Sequence, residues 1–158
     1  MTIAGLPLHP LVVHAAVVLT PLAALLVILF AVLPRWRWLT RWPAGLTTLV
    51  ALGTVFLARL SGQSLLDSRP ELWQLAEVQT HMQRGKLLLW LMVGFTVLTA
   101  IGMWALGGPS LMASGRGHQE RRTVTLDRLM PVLLVAGALV VLVWVVLTGD
   151  AGARAVWG

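Results

Sequence analysis

No cysteine occurs in the sequence. Its absence excludes disulfides, thiolate metal sites, iron–sulfur ligation and covalent haem attachment through a Cys pair. Charge is scarce as well: Asp, Glu, Lys and Arg make up 11% of the residues, against about 25% in a soluble domain. A chain this poor in polar side chains cannot coat itself against water on every side. No Lys or Arg precedes Arg35, so the positively charged start of a secretory signal is missing and the opening apolar run is expected to be a retained first span. No carboxylate lies inside the apolar runs, which argues against an ion or proton relay. No Gly-rich loop follows a strand, so there is no nucleotide-binding fingerprint. Nor does any Ser, His and carboxylate set have the local context of a hydrolase.

What is abundant is hydrocarbon: 58% of residues are hydrophobic and the mean hydropathy is +0.84. Four apolar stretches stand out, at about 8–33, 43–62, 80–107 and 128–148. A helix needs about 20 residues to cross a bilayer. The runs are continuous rather than alternating, which selects helices over barrel strands. The expectation is an all-α, integral membrane four-helix bundle, one transmembrane domain from residue 1 to 158. Pro10 suits a first helical turn. Pro34 is expected to stop span 1, Pro43 to open span 2, Gly107-Gly108-Pro109 to end span 3 and Gly149 to end span 4. Pro21 and Pro131 fall inside spans and are expected to bend them. A short echo links Leu60-Ser61-Gly62-Gln63-Ser64 with Leu147-Thr148-Gly149-Asp150-Ala151 and hints at a duplicated two-helix unit.

The net charge of +6 is read as topogenic charge meeting membrane lipid, not nucleic acid. Arg35, Arg37 and Arg41, interleaved with Trp36, Trp38 and Trp42, share one side with Arg116, Arg121, Arg122 and Arg128. That side is assigned to the cytoplasm, with both termini outside. The remaining polar residues then converge at the outer end: His9 and His14, Arg59 and Gln63, His81, Arg84 and Lys86, and Asp150, with His118 in the opposite loop.

His14 sits among apolar neighbours, Leu11-Val12-Val13 and Ala15-Ala16-Val17, and is expected to face the bundle interior. Satisfaction by a helix carbonyl, ligation of a cofactor or metal, and proton handling are the three uses open to it. His9 and His14 point about 140° apart on a regular helix. His81, Arg84, Gly85 and Leu88 share one helical face. Two histidines on different helices can hold haem b, with basic residues pairing its propionates. His14 and His81 are therefore the expected axial ligands, Arg59 and Arg84 the propionate partners, and His9, Gly85 and Asp150 the surrounding shell. A divalent metal held by His9, His14 and His81 competes for the same atoms. Arg59 also suits snorkelling.

The opening Leu6-Pro7-Leu8-His9-Pro10-Leu11-Val12-Val13-His14 resembles the start of the bacterial membrane family DUF2231, which opens with Pro-Leu-His-Pro-x-x-x-His. The family's later features, a His near the start of span 3 and a Gly-rich end to span 4, match His81 and Gly149-Asp150-Ala151-Gly152. The sequence departs from the pattern at Ala15-Ala16, where Phe-Pro is common, and at Trp157-Gly158, where a further His often follows. The resemblance implies a four-span protein of the bacterial cytoplasmic membrane. Because relatives are sometimes fused to Rieske-type iron–sulfur domains, it also implies electron transfer. Three readings follow. The first is a b-type cytochrome-like electron carrier with an iron–sulfur or respiratory partner and no independent catalysis. The second is a cofactor-free accessory subunit of a larger membrane complex, its helices brought close by Gly53, Gly94, Ala100, Gly102 and Gly137. The third is a histidine metal-binding or transport protein.

Overall fold

The computed structural model describes residues 2–3, 6–106 and 124–157, with side chains described over 8–106 and 128–157. His118 and the basic residues Arg116, Arg121 and Arg122 lie outside the described residues. A two-residue antiparallel pair, β1 (Thr2–Ile3) with β2 (Leu6–Pro7), precedes the helices. Four long helices then make the protein: α1 (Leu8–Val32), α2 (Arg37–Ser68), α3 (Ala76–Ala105) and α4 (Val124–Trp157). Each contains a span long and apolar enough to cross a membrane. The protein is an all-α bundle of four membrane helices.

Proline placement follows backbone chemistry. Pro10 occupies the first turn of α1, where the missing N–H would have had no intrahelical partner. Pro34 stops α1 at Val32 and starts a one-turn 3-10 helix, Pro34–Trp36. Pro43 does not open its span. The helix begins six residues earlier, at Arg37, and carries Pro43 in its second turn. Gly149 does not end α4 either. That helix runs on to Trp157, with Asp150 and Arg154 paired one turn apart at 3.1 Å beyond the glycine.

The turn between α1 and α2 is held by a side chain. Arg37 Nε donates to Phe30 O and Arg37 Nη2 to Ala31 O, both at 3.3 Å. The Arg37 guanidinium also lies 6.0 Å from the centroid of the buried Phe30 ring. Helix ends leave four carbonyls without intrahelical donors, and two of those of α1 are satisfied here. Arg37→Met is expected to lower stability by about 1–3 kcal/mol, because it strands two partly buried acceptors. Reversible unfolding in mixed micelles measures this, with the exposed Arg35→Met as the near-neutral control.

Neighbours in sequence are neighbours in space: α1 packs on α2, α2 on α3, α3 on α4, and α4 closes the ring on α1. Burial then exposes a repeat. The buried positions Thr40, Ala44, Thr48, Ala51, Val55 and Ser61 of α2 recur 90 residues later as Met130, Leu134, Ala138, Val141, Val145 and Ala151 of α4. On α1, the buried Ala16, Thr20, Ala23, Val27 and Phe30 recur 72 residues later in α3 as Leu88, Met92, Phe95, Thr99 and Gly102. The helical hairpins α1–α2 and α3–α4 are thus two copies of one packing plan. Side-chain volume is exchanged within it. Gly102 leaves room for Leu134, whose Cδ1 would be 2.8 Å from a Cβ at position 102. At the equivalent places the first hairpin has Phe30 and Ala44. The echo seen in the sequence was therefore a true repeat read in the wrong register: Gly62 corresponds to Gly152, three residues beyond Gly149.

Candidate functional site

Two arginines measure the thickness of the bundle. Arg37 and Arg59 are 22 residues apart on α2, about 33 Å at 1.5 Å per residue, close to the roughly 30 Å hydrocarbon layer. Arg35, Arg37 and Arg41 mark one end of the bundle. His9, His81, Arg59, Arg84, Lys86 and Asp150 mark the other.

At that second end the repeat brings two histidines together. His9 of α1 and His81 of α3 occupy equivalent positions, and their ring centroids are 6.2 Å apart with an interplanar angle of 76°. Contact between equivalent residues of two repeats places the pair on the axis that relates the hairpins. Each ring is anchored in the same way to the second helix of its own hairpin. His9 Nδ1 is 3.0 Å from Ala58 O, and His81 Nδ1 is 3.0 Å from Thr148 O. Ala58 and Thr148 are themselves equivalent. A carbonyl oxygen only accepts, so Nδ1 carries the hydrogen in both rings, and Nε2 of the neutral imidazole keeps its lone pair. Ser61 Oγ lies 3.2 Å from His9 Nδ1 and donates to the same Ala58 carbonyl at 3.0 Å.

Glycine makes both anchors possible. A Cβ on Gly62 would lie 3.0 Å from His9 Cε1, and one on Gly152 would lie 2.9 Å from His81 Cε1. Each glycine sits one turn beyond the carbonyl that holds its ring. Any side chain there would push the imidazole off its acceptor.

Arg84 lies one turn beyond His81 on the same face. Its Nη1 donates to Leu147 O at 2.7 Å and stands 4.0 Å from Asp150 Oδ2. Gly85 faces α4, where a Cβ would meet Thr148 Cγ2 at 4.0 Å. His81, Arg84, Gly85 and Asp150 therefore lie at the same end of the bundle as His9.

His14 does not join them. It was expected to turn inward, yet it is exposed on the outer surface of α1, its Nδ1 2.7 Å from Pro10 O of the preceding turn. The reason is angular: with His9 committed to the interior, a residue five positions on points about 140° away. The imidazole that meets His81 is that of His9. Arg59 is also exposed; it lines a groove between α2 and α3 with Lys86. Sequence reasoning passed over Ala58, Thr148 and Gly152 as anchors. The signal that would have found them is the spacing Ala58–Gly62 and Thr148–Gly152, each a carbonyl followed by glycine one turn on. Among the described residues, no three His, Cys, Asp or Glu side chains cluster closely enough to hold an ion by themselves.

A family model described as predicted membrane protein (DUF2231) matches residues 5–158. No curated protein and no solved structure matches the chain.

Proposed function

On the premise that the chain belongs to the predicted membrane protein family DUF2231, we propose that it is a small b-type cytochrome-like electron-transfer protein, with His9 and His81 as the residues that would hold haem b. The observation that carries this reading is the imidazole pair 6.2 Å apart. The pair brings two imidazole donors from different helices to one place, the donor set that would hold a b-type haem. The donor chemistry agrees. In each ring the Nδ1–H is spent on a backbone carbonyl, an outer contact that orients ligating histidines and raises their basicity. Two protein donors suit an iron whose other four positions come from a porphyrin, whereas a closed tetrahedral ion needs four ligands.

Bound haem would supply one-electron chemistry at its iron. The protein's own residues would hold and tune it. His9 and His81 would hold it from two helices, while Gly62 and Gly152 let both imidazoles keep their anchors. Arg84 offers a cation for a propionate, balanced by Asp150. In this reading the histidine end faces outward, the Arg-rich end being cytoplasmic, where a membrane complex or an iron–sulfur protein would exchange electrons with it.

The full chain, purified in mild detergent after expression with adequate haem supply, tests the proposal by its reduced-minus-oxidised spectrum. Soret and alpha bands of a six-coordinate haem at about one iron per chain are expected. A protein that stays colourless when reconstituted with haem overturns the reading. A second reading, a cofactor-free accessory subunit, is favoured by one observation. Gly53, Gly94 and Ala100 lie exposed on the bundle surface, and no atom lies within 4 Å of a Cβ built on either glycine. Gly102 and Gly137, by contrast, are spent on packing α3 against α4.

A further inference from the structure

Besides the histidine pair, the bundle carries a groove on its lipid-facing side, between α2 and α3, of about 650 Å³. Its walls are hydrocarbon and aromatic: Leu52, Gly53 and Phe56 from α2, Trp90 and Val93 from α3. At its end nearest the histidines stand two cations, Arg59 and Lys86, one from each helix. No carboxylate lines the groove, and neither cation has an acidic partner within ion-pair distance among the described residues.

We propose that this groove binds one anionic phospholipid, its phosphate between Arg59 and Lys86 and an acyl chain along α2 toward Leu49. Three observations argue for that occupant. Arg59 and Leu49 are ten residues apart on one helix, about 15 Å at 1.5 Å per residue, which is half of the roughly 30 Å hydrocarbon layer and so the depth of one leaflet. Arg59 presents the planar fork that takes two phosphate oxygens at once, and Lys86 adds a point charge beside it. Trp90, 63% exposed and one turn below Lys86, has the amphipathic ring favoured just beneath the headgroups.

The repeat supplies an internal control. The equivalent face, between α4 and α1, has Gly149 in the place of Arg59 and His14 in the place of Lys86. Val146 and Val18 stand there for Phe56 and Trp90. The hairpin packing plan therefore does not require the two cations or the two aromatic side chains. They belong to one face only.

Native mass spectrometry of the full chain, released from micelles equilibrated with equimolar phosphatidylglycerol and phosphatidylcholine, tests the site. One retained phosphatidylglycerol per chain is expected, preferred at least tenfold over phosphatidylcholine. Arg59→Gln with Lys86→Gln should abolish that preference. Gly53→Phe, which fills open space in the groove, should lower retention at least tenfold without touching the charges. Inorganic phosphate at millimolar concentration should not displace the lipid, since the acyl chain contributes to binding. Because all three substituted positions are exposed, helical content and unfolding midpoint should match wild type. Equal retention of both lipids by wild type, an unchanged preference in the double variant, or displacement by phosphate alone would each overturn the proposal. The haem spectrum of the same samples reports separately on the histidine site.

Discussion

His81→Ala is expected to abolish the haem absorbance of the purified protein, and His9→Ala to do the same, while His14→Ala leaves it at the wild-type level. The first two changes each remove one of the paired rings. The third removes a ring that is exposed and hydrogen-bonded only within its own helix. Glycine variants separate ligation from structure. In His81→Gly, added imidazole should restore the bands, because the missing group is a nitrogen lone pair and not a packing volume. Gly152→Val keeps both histidines but puts a branched side chain where a Cβ already falls 2.9 Å from His81 Cε1. The ring must then leave the Thr148 carbonyl. Loss of such an outer contact typically costs about 10–100-fold in metal affinity, so haem should be retained weakly, and Gly62→Val should behave alike at His9. Spectra that follow His14 and ignore His9 would sink the pairing.

Phe30→Ala is expected to be the most destabilising apolar truncation in the bundle. Phe30 is fully buried, at the position where the other hairpin has Gly102 filled by Leu134. Lipid is as apolar as a protein interior, so the transfer term that dominates in water largely drops out and packing decides. A cavity costs about 24 cal/mol per Å³, so an unfilled volume of roughly 100 Å³ loses on the order of 2 kcal/mol. Phe56→Ala, which removes a ring 49% exposed, should cost under about 0.5 kcal/mol, as surface substitutions usually do. Denaturant unfolding in mixed micelles compares the two. Equal losses would mean that Phe30 does not fill the core.

Both predictions depend on a repeat that was only faintly legible in the sequence. Its copies share few side chains between α1 and α3, and more between α2 and α4, where Leu49, Val50, Leu52, Val55, Leu57 and Gly62 recur as Leu139, Val140, Leu142, Val145, Leu147 and Gly152. What recurs is burial at fixed intervals, with large and small residues exchanged, as Phe30 and Ala44 are for Gly102 and Leu134. The five-residue echo at the helix ends set Gly62 against Gly149, three residues short of its true partner, Gly152. The candidate histidines were legible as residue types, because an imidazole in an apolar run is conspicuous. Which of His9 and His14 faces inward was not. His14 has the more apolar neighbours, and hydropathy does not reveal which face of a helix its partners occupy.

Composition alone determined that this chain lives in lipid. With 11% charged residues and four long apolar runs, backbone hydrogen bonding can be satisfied only within helices that span the bilayer. Punctuation by Pro34 and the Arg and Trp residues around it determined where the first helix stops. The tertiary structure decided what those helices share: two hairpins packed as copies, and at one end two imidazoles that meet edge-on, each held by a carbonyl from its neighbouring helix. That outcome depends on the rotation of each helix about its own axis. Helix rotation is set by side-chain volume across the interfaces, a long-range quantity that no local stretch of residues encodes.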